Sequence, residues 1–335
     1  MTEPMLIVGG GLTGCTAARH LADCGIPVLL VEARSDLGGL CADDGHVPRY
    51  GPHYFHSDDE QVYWAASRYG WQEYRHSAVA IGQSGRALSW PLDRQSLSVH
   101  GYSLPEDIPD PANMEEAAIS VMGRDAYEDF VLHYTRKMWG RDPSQMPASL
   151  FKRCSVRDAP GPFFSDRFCG APVGGWTAWC QSMTDHRLID VRTDTPYALD
   201  MVRHAAGVVY TGLIDGAYYH GIRFETIPER HRTNISVDVV NFCHDRTHYT
   251  RAQLMEGMAI GETPDPDGIP CYAGIPGDDD MAERADQARD IMGSAMMAAT
   301  TGPVLFAGRM GLYRYIDMGG AIRSGMDVAR AVVGV

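Results

Sequence analysis

Gly9, Gly11 and Gly14 fall in the spacing G-x-G-x-x-G, directly after an apolar run, and Glu32 closes the next apolar run. Glycines so spaced let a turn of backbone approach a pyrophosphate at the N-terminus of the following helix. A carboxylate after the second strand can then hold a ribose hydroxyl. The chemistry in view is dinucleotide binding; the motif alone does not separate FAD from NAD, and a tight turn without a ligand is the competing account. No cluster of His, Asp and Glu shows metal-ligand spacing, so no metal is expected. The eight cysteines include no C-x-x-C pair and read as free, mostly buried thiols. A net charge of −14 argues against nonspecific binding to nucleic acid or anionic lipid. An anionic substrate would therefore need a local cluster of arginines.

These residues must be held by a chain of 335 residues, 44% hydrophobic and 21% charged, a composition that folds into two or three packed units. Residues 5–8 read as a buried parallel strand, the glycine turn opens a helix to about Cys24, and residues 27–31 supply the second strand. Apolar residues recur at helical spacing over 58–71 and 114–138. Segments 78–81 and 86–90 flank Gly82 and Gly85 and read as a hairpin. Strands are expected over 207–212, 235–242 and 303–308, and a closing helix over 320–333. Residues 262–280, rich in Pro, Gly and Asp, read as a surface loop. This order suits an α/β dinucleotide domain interrupted by insertions. The N-terminus lacks a leader pattern and no window approaches the ~20 apolar residues of a membrane span, so a cytoplasmic protein is expected.

After Glu32, Arg34 and Gly38-Gly39 complete E-x-R-x-x-x-G-G, which resembles the two-dinucleotide-binding flavoproteins rather than simple dehydrogenases. That resemblance implies FAD, with Arg34 and Gly39 beside it. In that group the C-terminal segment returns over the flavin, and Phe306-Ala-Gly-Arg-Met310 suits this, making Arg309 a flavin contact; a surface salt bridge is the alternative.

Six further stretches resemble bacterial UDP-galactopyranose mutase: Tyr50-Gly-Pro-His-Tyr-Phe-His56, Tyr134-Thr-Arg-Lys-Met-Trp-Gly140, Phe164-Ser-Asp-Arg-Phe-Cys-Gly-Ala-Pro-Val-Gly-Gly175, Tyr210-Thr-Gly-Leu-Ile-Asp215, Val240-Asn-Phe242 with Tyr249-Thr-Arg251, and Tyr313-Arg-Tyr-Ile-Asp-Met318. In this order they extend the resemblance over most of the chain. It implies a discontinuous Rossmann-type FAD domain (1–62, 171–217 and 296–335), an inserted helical domain (103–146), and an antiparallel β-sheet and substrate-covering domain (63–102, 147–170 and 218–295). It also implies an isomerase that interconverts pyranose and furanose forms of a UDP-sugar. In the family, reduced flavin N5 attacks the anomeric carbon as UDP leaves, the adduct opens through an iminium, and the sugar recloses on another hydroxyl. FAD would act as FADH2, reduced by NAD(P)H or another reductant, and members of the family often dimerise.

By motif position the resemblance assigns Arg153 and Arg251 to the diphosphate, Arg153 on a mobile lid. Tyr272 and Tyr315 would place hydroxyls beside the diphosphate and flavin, and His53 and His56 would lie at the flavin. Tyr210, Gly212, Asp317 and Met318 are assigned to the cofactor, and Tyr134, Thr135, Trp139, Phe163, Asn241 and His76 to nucleotide and sugar. A core tyrosine competes for Tyr272 and Tyr315, a core histidine for His53. Phe163 stands where the family has tyrosine and His76 where it has asparagine, leaving the sugar open among UDP-galactose, UDP-arabinose and UDP-N-acetylgalactosamine. A flavin-dependent amine oxidase is the alternative; it calls for an apolar or aromatic-caged site, against which the arginine pair speaks.

Overall fold

The computed structural model describes residues 3–45, 47–154, 156–227, 237–255 and 258–334, the side chains of 152–154 excepted. Five parallel strands form a sheet in the order Val304–Phe306, Gly207–Tyr210, Met5–Val8, Val28–Val31, Ile189–Arg192. The run Met-Leu-Ile-Val is buried at every position, as a parallel strand covered on both faces must be. Helices Leu12–Asp23, Gly175–Thr184 and Met318–Val333 share one core with this sheet. The first and last of these meet closely, because a Cβ on Gly325 would come within 2.5 Å of the Thr13 carbonyl oxygen. Thr13 Oγ1 donates to the Ala321 carbonyl across the same contact at 2.9 Å. The end of the chain is thereby seated on the glycine turn at its beginning.

A seven-stranded sheet runs Ile269–Ala273, Tyr219–Thr226, Met258–Pro264, Arg251–Met255, Val239–Phe242, Ala78–Ile81, Ala87–Ser89. It is antiparallel except where Ala78–Ile81 lies parallel to Val239–Phe242. That pair joins segments far apart in the chain, where no hairpin dictates direction. A three-stranded sheet is built from Phe55–Ser57, Phe168–Pro172 and Trp71–Glu73. The strand expected over 235–242 is present as Val239–Phe242, its first two residues lying outside the described ones.

Three expectations are corrected. Residues 262–280 are not one loop: Met258–Pro264 and Ile269–Ala273 flank a short turn and pair with Tyr219–Thr226 from either side, and only 265–268 and 274–278 lie outside regular elements. Pro, Asp and Gly serve turns as readily as loops, and here Asp265 accepts from the Asp267 and Gly268 amides. The helix expected over 58–71 ends at Ala66, and Trp71 opens a strand after Gly70 at φ +104°. The helix expected over 114–138 is interrupted at Gly123 and passes through a π-helical turn at Glu128–Leu132 before continuing as His133–Trp139. Helix Asp279–Ala299 went unread because it buries only Ala285, Gly293 and Met296, although Asp278 caps it and Asp279 and Asp280 open its first turn. Among the described residues no helix is long and apolar enough to cross a membrane.

Candidate active site

The glycine turn sits at the C-terminal end of the central parallel strand. Gly9 adopts φ +104°, and a Cβ on Gly14 would fall 1.9 Å from the Gly9 carbonyl oxygen. Gly11 caps the helix Leu12–Asp23, whose opening turn has neither an acidic residue nor a side-chain cap. Its amides are thus left for an anion. Glu32 is buried and accepts from the Gly10 amide at 2.7 Å and the Arg34 amide at 3.0 Å. Gly39 packs against Gly11, and the Arg34 guanidinium lies over the Tyr50 ring. Tyr210 ends the strand beside Met5–Val8, with its hydroxyl on the Leu213 carbonyl and against Gly212. Asp317 caps the last helix through the Gly320 amide at 2.6 Å, and Met318 is buried in the core beneath.

Arg309, on the short turn of helix Gly308–Gly311, faces the other way. Its guanidinium carbon lies 5.1 Å from the centre of the Tyr272 ring and 4.3 Å from that of Tyr315. Its Nε is buried without a hydrogen-bond partner among the described residues, a polar atom that waits for a ligand.

Beyond Tyr315 opens a cavity of about 410 Å³. Helix His133–Trp139 contributes Tyr134, Thr135 and Trp139 to one wall, and the seven-stranded sheet contributes Asn241, Arg251 and Tyr272 to another. His76 and Phe163 close a third side, their rings 4.4 Å apart, with Tyr54 stacked on His76 at 4.2 Å. Tyr315 is 56% exposed at the mouth. His56 is not among the lining residues; it stacks on Phe164 and its Nδ1 is 3.1 Å from Asp166. The side chain of Arg153 lies outside the described residues.

Glu262, which sequence reasoning missed, governs the electrostatics. Only 4% of its side chain is exposed, and it takes Arg251 Nε at 2.9 Å and Nη2 at 2.8 Å. Burial works against the Arg251 charge, but the Glu262 carboxylate outweighs it and the guanidinium holds its proton more tightly than usual. Nη1 makes no hydrogen bond among the described residues. The signal that could have found Glu262 is the strand pairing that sets it opposite Arg251.

Burial pushes the Tyr272 hydroxyl up to about 12, with the Arg251 charge opposing, so it is a neutral donor. Burial also depresses His53 to about 4, against a bond from its Nδ1 to the Gly51 carbonyl and with help from the Arg309 and Arg251 charges. His76 is likewise brought to about 4 by burial, Asp238 opposing. Both stay neutral in the folded chain down to about that pH, whereas an unfolded imidazole gains its proton near ~6.5. Below that value the unfolded state binds more protons, so stability is expected to fall as the pH drops from ~6.5 towards ~4. Thermal melts should show a shallower fall for His76→Asn than for wild type; equal slopes would show that His76 is not held neutral.

The glycine cradle, parallel sheet and returning C-terminal helix define a flavoprotein-type dinucleotide fold, with an arginine-bearing cleft over it. A model of NAD(P)-binding Rossmann-like domains matches residues 7–68, and the model of UDP-galactopyranose mutase matches residues 129–315, more than half of the chain. The chain therefore belongs to the UDP-galactopyranose mutase family, a family of flavoprotein isomerases. It is 28% identical to a probable UDP-galactopyranose mutase of Klebsiella pneumoniae, over 97% of this chain and 93% of that protein. It is 25% identical to dTDP-fucopyranose mutase of Escherichia coli, over 98% of each. The crystal structure of reduced UDP-galactopyranose mutase matches with a TM-score of 0.65 at 16% identity, over 100% of this chain and 94% of that one, which shows a shared fold.

Proposed function

We infer that the chain binds FAD and, with the flavin reduced, interconverts the pyranose and furanose forms of a UDP-sugar. The observation that carries this reading is the position of Arg251, fixed by Glu262 in a cavity whose mouth is formed with Tyr315, next to Arg309. The glycine cradle, Glu32 and the unpartnered Arg309 Nε fit FAD. When bound, reduced flavin supplies a nucleophilic nitrogen for the anomeric carbon; NAD(P)H or another reductant would provide the electrons.

The residues then divide the work. Arg251 turns Nη1 towards the diphosphate and stabilises the charge that grows on it as the glycosidic bond breaks, with Arg153 as its partner. Tyr272 and Tyr315 donate hydroxyls beside it. Trp139 and Tyr134 exclude water from the sugar, and Asn241, Phe163 and His76 hold the nucleoside. Gly9, Gly11, Gly14, Glu32, Arg34, Gly39, Tyr210, Gly212, Asp317 and Met318 form the cofactor bed, with His53 and His56 at its edge. The division into a discontinuous FAD domain, a helical domain and a sheet domain is part of the same proposal.

The test incubates dithionite-reduced and oxidised enzyme with UDP-galactopyranose, UDP-arabinopyranose, UDP-N-acetylgalactosamine and dTDP-fucopyranose, with products resolved by anion-exchange chromatography. A furanose is expected from a UDP-sugar with reduced enzyme only. Isomerisation of the dTDP-sugar alone would correct the nucleotide, and no isomer from any substrate would sink the reading.

A further inference from the structure

We propose that Lys137 is a positioning residue that sets Asn241 and Arg251 against the opposite wall of the cavity by closing the turn between their strands. The inference rests on the reading of this cavity as a nucleotide-sugar site.

Asn241 and Arg251 are direct cross-strand partners on Val239–Phe242 and Arg251–Met255, and the chain between the strands leaves the sheet as a turn. Lys137 Nζ enters the mouth of that turn. It donates to the Phe242 carbonyl at 2.7 Å, the Tyr249 carbonyl at 2.7 Å and the Thr247 carbonyl at 3.2 Å. An ammonium has three N–H donors, and these three bonds use them all. The first two acceptors directly follow Asn241 and closely precede Arg251.

Lys137 belongs to helix His133–Trp139, which carries Tyr134, Thr135 and Trp139 on the facing wall. One side chain therefore ties the two walls together. The other supports of the pair come from the sheet: Asn241 Nδ2 donates to the Val79 carbonyl at 3.3 Å, and Arg251 is held by Glu262.

The site strains against its own charge. Burial lowers the Lys137 ammonium to about 8, with Cys243 and Asp245 opposing and Arg246 assisting. Its hydrogen-bond partners are carbonyl dipoles, with no carboxylate among them. A cation kept in so costly a setting is explained if the spacing of the walls matters more than the stability of the turn.

The test is calorimetric titration of holoenzyme with UDP and with inorganic pyrophosphate, for wild type, Lys137→Met and Lys137→Arg. Methionine keeps the length of the stem and removes every donor. Lys137→Met is expected to retain flavin and to bind both ligands about tenfold more weakly, with kcat/KM lowered by about 10² as the reacting groups drift apart. Lys137→Arg should fall between the two, since a planar fork cannot aim donors at three carbonyls around one point. Wild-type affinity in Lys137→Met overturns the proposal. If that variant does not fold, Lys137→Arg decides, and unchanged affinity there overturns it as well. A wild-type protein that binds neither ligand overturns the reading of the cavity and this inference together.

Discussion

Arg251→Ala is expected to lower turnover by about 10²- to 10³-fold while the flavin stays bound, the loss that follows removal of one preorganised donor from a developing charge. The same change should cost stability. Glu262 is 4% exposed and gives both carboxylate oxygens to Arg251, so the truncation strands a buried anion. Breaking such a pair from one side costs about 3–5 kcal/mol. The two effects separate in a second variant: Arg251→Met combined with Glu262→Leu removes both charges, and should recover much of the stability and none of the turnover. Thermal melting and the furanose assay read the two quantities independently. Full turnover in Arg251→Ala would remove the diphosphate role, and equal melting of the single and double variants would remove the account of Glu262.

The second large effect is expected at Gly14. A methyl group there would sit 1.9 Å from the Gly9 carbonyl oxygen, a backbone atom that no rotamer change can move. Gly14→Ala must therefore pull the helix Leu12–Asp23 away from the turn, and Thr13 with it, which is bonded to Ala321 of the last helix. The cradle opens at the point where a pyrophosphate would lie. The variant should purify without flavin absorbance and melt below wild type by an amount that added flavin does not restore. Stoichiometric flavin in Gly14→Ala would show that the turn is not the pyrophosphate site. Because Gly14 is not among the residues that line the cavity, this variant and Arg251→Ala are expected to fail in opposite ways, one without cofactor and one with it.

How much of this was legible beforehand depended on the range of the interactions involved. The hairpin of Ala78–Ile81 and Ala87–Ser89 and the capped last helix were readable because residues a few positions apart decide them. Residues 262–280 misled, because Pro, Gly and Asp describe a tight crossing turn and a loop equally well, and only the strand Tyr219–Thr226, flanked by both segments, settles which forms. Helix Asp279–Ala299 was overlooked because most of its surface faces solvent and only three of its residues are buried, so its one local mark was the cap at Asp278 with the acidic turn after it.

By itself the sequence determined the dinucleotide turn: three glycines and one acid suffice to mark it, since the tightest approach, Gly14 on the Gly9 carbonyl, lies within the turn itself. The tertiary structure alone decided the electrostatics of the cleft. Arg251 meets Glu262 because their strands pair in one register, and a slip of one residue would turn Glu262 to the opposite face of the sheet. Lys137 reaches its three carbonyls only because a helix from another part of the chain packs across that sheet. Spacing along the chain carries local geometry, but a charge acquires its partner, and so its function, from whatever the fold sets beside it.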